Sequence, residues 1–226
     1  MSKIKIIKLL LITIITINTT NIFAAQNSNY FSLNAGPGWA NNLNRKVGTL
    51  EFNVDLESEY NISATFGKYI QNWLRIEIEL GYIQTNIKTL YSKHLSKFMD
   101  VTSGTDCHKR LMINSIFEYK NNTNFLPFAG IGVGISDSKL EMEHVSVLPG
   151  SVGSSVFKTD ENNDYNFTYQ LMTGIIYSIN DNWSLDLVYK FLSTPDRSHA
   201  TSYLKGNVDI SGTNIHLVNI GIRYLF

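Results

Sequence analysis

The sequence predicts an all-β fold: eight strands closed as an up-and-down antiparallel barrel that spans a membrane. Three observations predict it. Apolar residues recur at every second position in eight separate stretches, the period of a strand whose two faces meet different surroundings. The faces opposite the apolar ones carry charged residues of both signs. The connections alternate between short polar turns and long segments, as expected of a sheet with two unlike ends.

The alternation is plainest in "WLRIEIELGY", where Leu74, Ile76, Ile78, Leu80 and Tyr82 share one face and Arg75, Glu77, Glu79 and Gly81 the other. In "WSLDLVYKF", Trp183, Leu185, Leu187, Tyr189 and Phe191 oppose Ser184, Asp186, Val188 and Lys190. Leu111, Ile113, Phe117 and Tyr119 oppose Arg110, Asn114 and Glu118, and Val218, Ile220, Ile222, Tyr224 and Phe226 oppose Asn219, Gly221 and Arg223. Strands are expected near 29–40, 58–68, 73–84, 107–119, 125–136, 165–177, 183–192 and 213–226. "YIQN", "KNNTN" and "SINDN" supply the Asn and Asp that tight turns favour. Segments 41–57, 85–106, 137–164 and 193–212 are expected as long loops at the opposite end, with both chain ends on the short-turn side.

The polar faces decide whether the apolar face looks inward or outward. Arg75, Arg110, Lys190 and Arg223 stand against Glu77, Glu79, Glu118 and Asp186. Inside a narrow eight-stranded barrel, four positive and four negative groups can pair as one network that plugs the lumen. Turned to lipid, each Arg or Lys would cost about 2–4 kcal/mol at the midplane. Trp73, Phe125 and Trp183 each open a strand after a short turn, and Tyr119 and Tyr177 each close one before it. That is an aromatic girdle at one membrane interface. Gly130, Gly132 and Gly134 share the Phe128 face, where they are expected to leave room for the Arg and Glu side chains opposite. They form no GxGxxG phosphate loop, and no helix follows.

The amino terminus reads as a secretory signal peptide. A basic "MSKIKIIK" precedes the apolar "LLLITIITI", and "NTTNIFAA" ends in small residues, so residues 1–24 are expected to be removed after Ala24 or Ala25. The apolar run is short for a permanent span, which needs about 20 residues. Losing Lys3, Lys5 and Lys8 from 19 basic residues leaves 16 against 19 acidic ones, net −3. Neither this balance nor any basic stripe suits nucleic acid. Cys107 stands alone, so an internal disulfide or a cysteine-based metal site is excluded.

The closing octet "NIGIRYLF" resembles the terminal signal of bacterial outer-membrane barrels, with Asn219, Gly221, Tyr224 and Phe226 in its places. That resemblance implies recognition by the barrel-assembly machinery. "RIEIELGY", "LPFAGIGVGIS" and "YQLMTGIIYSINDNWSLDLVYKF" are similar to the opacity-type family of small outer-membrane barrels, which includes opacity proteins and surface antigens and is related to OmpX and the OmpA barrel. The likeness covers the strands and not the long segments. It implies residence among outer-membrane lipid and a non-catalytic surface role as adhesin or antigen, in contact with a host-cell or matrix protein. A structural barrel or small porin-like pore is the alternative reading.

Enzymatic chemistry finds little purchase. Lipid A deacylases, which are eight-stranded barrels, set a His and a Ser two apart on a strand. His94–Ser96 and His144–Ser146 have the spacing, but both fall in expected loops. Glu77 and Glu79 share a face, where pairing with Arg75, Arg110 or Arg223 accounts for them. No histidine set has metal-ligand spacing, so neither metal nor cofactor is expected. Segment 137–164 has six acidic and two basic residues, whereas 85–106 is slightly basic, and "IKTLYSKHLSKF" could form a short amphipathic helix as readily as a packed loop. If the closing strand is the assembly signal, Phe226→Ser should lower the folded yield in the outer membrane. The same change at Phe98, in a long segment, should not, as read by the folded fraction in membrane preparations.

Overall fold

A computed structural model describes the backbone of 28–40, 43–47, 50–92, 97–148, 151–158, 165–195, 197–201, 206–210 and 212–226. Side chains are described for 28–40, 60–85, 107–137, 165–195 and 212–226. The expected signal peptide lies outside these residues.

Among the described residues the chain is a closed antiparallel barrel without helices. Twelve strands form one sheet: β1 (Asn29–Ala40), β2 (Leu43–Val47), β3 (Leu50–Gln71), β4 (Leu74–Ser92), β5 (Lys97–Glu118), β6 (Phe125–Leu148), β7 (Ser151–Lys158), β8 (Asn166–Ser178), β9 (Trp183–Thr194), β10 (Arg197–Thr201), β11 (Gly206–Ile210) and β12 (Thr213–Leu225). Eight of them, in the order β1-β12-β9-β8-β6-β5-β4-β3, close through the β1–β3 pairing. The termini meet at the short-turn end, where Asn29 and Phe226 exchange backbone hydrogen bonds of 3.1 and 2.9 Å.

Alternation places the faces as expected. Large apolar side chains such as Ile62, Leu80, Ile113, Ile131 and Ile220 are more than half exposed on the outside, whereas the inward positions are closed off. On β6 this outer band runs from Phe125 to Ile135. Ten steps of about 3.4 Å, tilted by about 40°, give about 26 Å, the height of a lipid-facing belt. The girdle at the short-turn end is built of neighbouring rings: Trp73 on Phe117 at 6.0 Å, Phe125 on Tyr177 at 4.9 Å and Trp183 on Tyr224 at 4.8 Å. A second girdle, including Trp39, Tyr60, Tyr165 and Phe167, rings the other end. Its residues lie beside long segments, where strand ends are hard to read from sequence.

Three expectations need correction. Where they are described, the long segments are strand and not loop: β3, β4, β5 and β6 run on for 19–24 residues, and β2, β7, β10 and β11 lie in the same segments. Beyond the membrane both faces meet water, so the apolar–polar rhythm fades while ladder hydrogen bonds continue. Ile87–Ser92 therefore extends β4 as strand and not as an amphipathic helix. Likewise His144–Ser146 lies within β6, whereas His94–Ser96 falls outside the described residues.

The glycines also act differently from expectation. A Cβ on Gly130 would meet Ile116 and Met172, on Gly132 Asn114 and Gln170, and on Gly134 the Leu111 carbonyl and Met112. The space beside these glycines is thus taken by apolar and amide side chains; Arg110 instead lies against Gly81. Gly36 is the tightest case, since a Cβ there would stand 1.9 Å from the Val218 carbonyl oxygen, a backbone atom that cannot rotate away. Gly36→Ala should therefore strain the β1–β12 seam by about 1–3 kcal/mol. The expected result is a lower temperature for the gel-mobility shift between folded and boiled protein, with Ala35→Gly, on the outer face of the same strand, changing it less.

Candidate functional site: a charged lumen beneath an outer wall

Nothing large passes through the barrel as it stands. From the short-turn end upward, the lumen is filled by alternating layers of aromatic, ionic and apolar side chains. Tyr30, Tyr69 and Leu225 close the bottom. Directly above them lies an ionic cluster. Arg75 Nε donates to Glu77 Oε1 at 2.9 Å, and its Nη1 contacts Glu118. Arg223 Nη2 donates to Asp186 Oδ2 at 2.6 Å and its Nη1 to the Tyr69 hydroxyl at 3.2 Å. The Tyr30 hydroxyl donates to Glu77, and Tyr69 donates to Glu118 at 2.8 Å.

Two guanidiniums face three carboxylates here. The balancing charge comes from Lys120 in the β5–β6 turn, whose Nζ donates to Glu118 Oε2 at 2.6 Å. Burial, and then repulsion from Arg75 and Arg223, pushes the Lys120 amine down to about 8 even with Glu118 beside it. Arg75 also lies 5.1 Å from the Phe128 ring centre and Arg223 4.6 Å from that of Tyr30, so aromatic faces cover both cations.

The upper cluster has Glu79 at its centre. Its Oε1 accepts from Arg110 Nη2 at 2.9 Å and Lys190 Nζ at 2.8 Å. Its Oε2 accepts from Asn114 Nδ2 at 3.0 Å and Gln170 Nε2 at 3.1 Å. Arg110 continues to Asn61 at 2.8 Å, and Asn61 to Asn219 at 3.1 Å. One carboxylate thereby links β3, β4, β5, β8, β9 and β12. β6 contributes by what it lacks, because a Cβ at Gly132 would stand 2.1 Å from Asn114 Oδ1. Ile83, Leu192, Ile215 and Leu217 cap this cluster from above.

All eight charged residues singled out from sequence point inward, and each is at most 6% exposed. Their ion pairs form two clusters, not one network: Arg75, Glu77, Glu118, Asp186 and Arg223 below, Glu79, Arg110 and Lys190 above. A cavity of about 20 Å³ lies between them, touching Lys190, Asp186, Arg223 and Glu77, enough for about one water. Glu77 and Glu79 belong to different clusters, so their shared face does not make them a pair. Of the closing-strand residues, Asn219 is buried on Asn61, Gly221 leaves room for Asn34, and Tyr224 and Phe226 face outward. Among the described residues no group of His, Cys, Asp and Glu could hold a metal ion. Sequence reading placed Asn114 on the polar face without giving it a role, and passed over Asn61, Gln170, Tyr30, Tyr69 and Lys120. Their signal is polar or hydroxyl-bearing residues at inward positions, which charge counting ignores.

Glu79→Gln would leave Arg110 and Lys190 buried with no carboxylate between them. Breaking such a pair costs about 3–5 kcal/mol, so the heat-induced mobility shift should move to a markedly lower temperature. The parent protein in planar bilayers should show no steady channel, and large, stable conductance steps would contradict the plugged lumen.

The outer membrane protein beta-barrel domain family matches residues 9–226. A Rickettsia conorii protein named "Putative adhesin RC1281" is 24% identical over 222 residues, covering 92% of this chain and 86% of its own. Outer membrane protein PagN of Salmonella typhimurium is 26% identical over 96 residues, 42% of this chain and 38% of its own. Among solved structures, Neisserial surface protein A superposes with a TM-score of 0.51 at 14% identity, over 88% of this chain and 97% of that one. That likeness is one of fold, an eight-stranded antiparallel barrel. The chain therefore belongs to the outer membrane protein β-barrel domain family, a Gram-negative outer-membrane barrel with both ends in the periplasm.

Proposed function

We propose that this protein is a non-catalytic surface adhesin or antigen, with the membrane barrel as a rigid mount and the extracellular strands as the contact surface. The observation that carries this reading is the wall above the membrane. β3 to β6 leave the bilayer as unbroken strands, and β2, β7, β10 and β11 join them in the same sheet. Recognition commonly sits on segments held by a rigid scaffold, and here the lumen below is packed shut by its two ionic clusters. The name of the rickettsial relative, whose match spans most of both chains, supports the same role.

A purely structural barrel is the second reading. A pore fits less well, because a cavity of about 20 Å³ is no conduit. The reading also takes residues 1–24 as a signal peptide and the closing strand as the segment the barrel-assembly machinery recognises. The expected partner is a host-cell or matrix protein, with no cofactor involved.

Shortening each outer hairpin in turn tests the proposal. Bacteria displaying the variants would be assayed for attachment to epithelial monolayers and matrix proteins at low and high salt. Loss of attachment on shortening at least one hairpin, with the heat-modifiable fold retained, is the expected outcome. The extracellular segments carry charges of both signs, so salt should matter little. If every shortened form folds and attaches like the parent, the structural reading takes over.

A further inference from the structure

Among the described residues, one imidazole stands on the lipid-facing side of the barrel. His216 lies on the outer face of β12, on the same register as Ile220, Ile222, Tyr224 and Phe226. The ten residues from Phe226 to His216 rise about 3.4 Å each and are tilted by about 40°, which puts the imidazole about 26 Å above the chain end. That is the level of the upper girdle, where His216 pairs with Trp39 across the β1–β12 ladder and with Phe191 across the β9–β12 ladder. An outward side chain at this height meets the headgroup layer of the outer leaflet.

Aromatic rings hold it in place. The Trp39 ring stacks on the imidazole at 5.8 Å with an interplanar angle of 10°, and the rings of Phe191 and Tyr189 lie 5.2 and 6.1 Å away. The Tyr189 hydroxyl is 2.7 Å from His216 Nδ1. A hydroxyl that donates to Nδ1 leaves the ring proton on Nε2. If the ring takes a second proton, Nδ1 donates to the hydroxyl and Nε2 keeps its own. In both states Nε2 is a donor, and no described residue accepts from it.

Below this cluster the outer surface is furrowed. Under Trp39 the outward positions of β1 are Pro37 and then Ala35. Ala35 stands between its two ladder partners, Ile62 of β3 and Ile220 of β12, which are 56% and 68% exposed. Two strand spacings of about 4.8 Å set these isoleucines about 10 Å apart. That leaves room for one hydrocarbon chain on the alanine between them. A hydrogen-bond donor at headgroup level above a furrow at chain level suits a single amphiphile.

We infer that His216 is the headgroup contact of a bound outer-leaflet lipid, with Nε2 donating to a phosphate oxygen and one acyl chain lying along Pro37 and Ala35. Phosphate is the acceptor that serves both states of the ring, since it takes a hydrogen bond from the neutral form and pairs with the charged one. Tyr189 is a positioning residue: its hydroxyl engages Nδ1 and so reserves Nε2 for the lipid. The site is separate from the extracellular strands and does not depend on the adhesin reading.

The test uses the folded protein in dodecyl maltoside micelles, which contain no phosphate. The imidazole nitrogen signals of His216 are followed by NMR, assigned by their absence from His216→Phe or their displacement in Tyr189→Phe. The Nε2 signal should move on adding a diphosphorylated diglucosamine lipid or phosphatidic acid, and the tighter of the two names the source. It should stay in place with the dephosphorylated diglucosamine lipid. No movement with either phosphate lipid, or equal movement with the dephosphorylated one, would overturn the phosphate contact. Equal movement with inorganic phosphate alone would overturn the lipid. His216→Phe keeps a stacked ring and should lower the lipid retained per chain, read by native mass spectrometry, about fivefold, the worth of one hydrogen bond. The heat-shift temperature should not change; unchanged retention would count against the site. Ala35→Leu fills the furrow and should lower retention to a similar degree, whereas normal retention would refute the place given to the chain. The signal of the parent protein decides the phosphate contact even where a variant fails to fold.

Discussion

Inside a bilayer no water is available to satisfy a backbone N–H or C=O, and the rest of this structure follows from that. A strand can cross only if both its edges are paired, so the sheet must close on itself. Closure fixes the side-chain period at two, with lipid on one side and lumen on the other. It also brings Asn29 to Phe226, since the first and last strands must complete the ring. Even the tight glycines answer to it: Gly36 lets β1 lie against the Val218 carbonyl where a methyl group could not fit.

The lumen solves a second problem that closure creates. Eight strands leave a space too narrow for a channel and too wide to leave empty. Apolar side chains fill part of it, as Ile116, Phe128 and Met172 do. The remainder is held by charges that would be costly alone and are satisfied in combination. Glu79 is the clearest instance, with two oxygens taking four donors from three other strands. A buried ion pair adds little net stability compared with an apolar core. It does fix which residues face one another across the barrel, so the clusters set strand register as much as they add stability.

The legibility of the sequence divides along the same boundary. Within the membrane each strand has one greasy and one polar face, and β1, β8, β9 and β12 can be read off to within about two residues. That Arg75, Glu79, Arg110 and Arg223 lie inside was equally readable, because lipid excludes them. Their division into two clusters was not: Glu79 meets Lys190 across 111 residues of sequence, and only the register of intervening strands decides that contact. Beyond the membrane the rhythm disappears because both faces are wet, so β2, β7, β10 and the upper halves of β3 to β6 read as loops. Nothing in "SVGSSVFK" marks it as a strand until its pairing with β6 is known.

Where water returns, the demand for closure lifts. An open rung in the β8–β9 ladder at the bilayer midplane would strand several polar groups in hydrocarbon, each at a cost of several kcal/mol. The same open rung a few residues higher costs far less, because water serves both edges. Because no ladder within the membrane depends on the wall, its strands can change in sequence and length while the mount beneath stays the same. That is the physical ground for the proposal that recognition sits there: the barrel needs closure at membrane depth, and the wall above it does not.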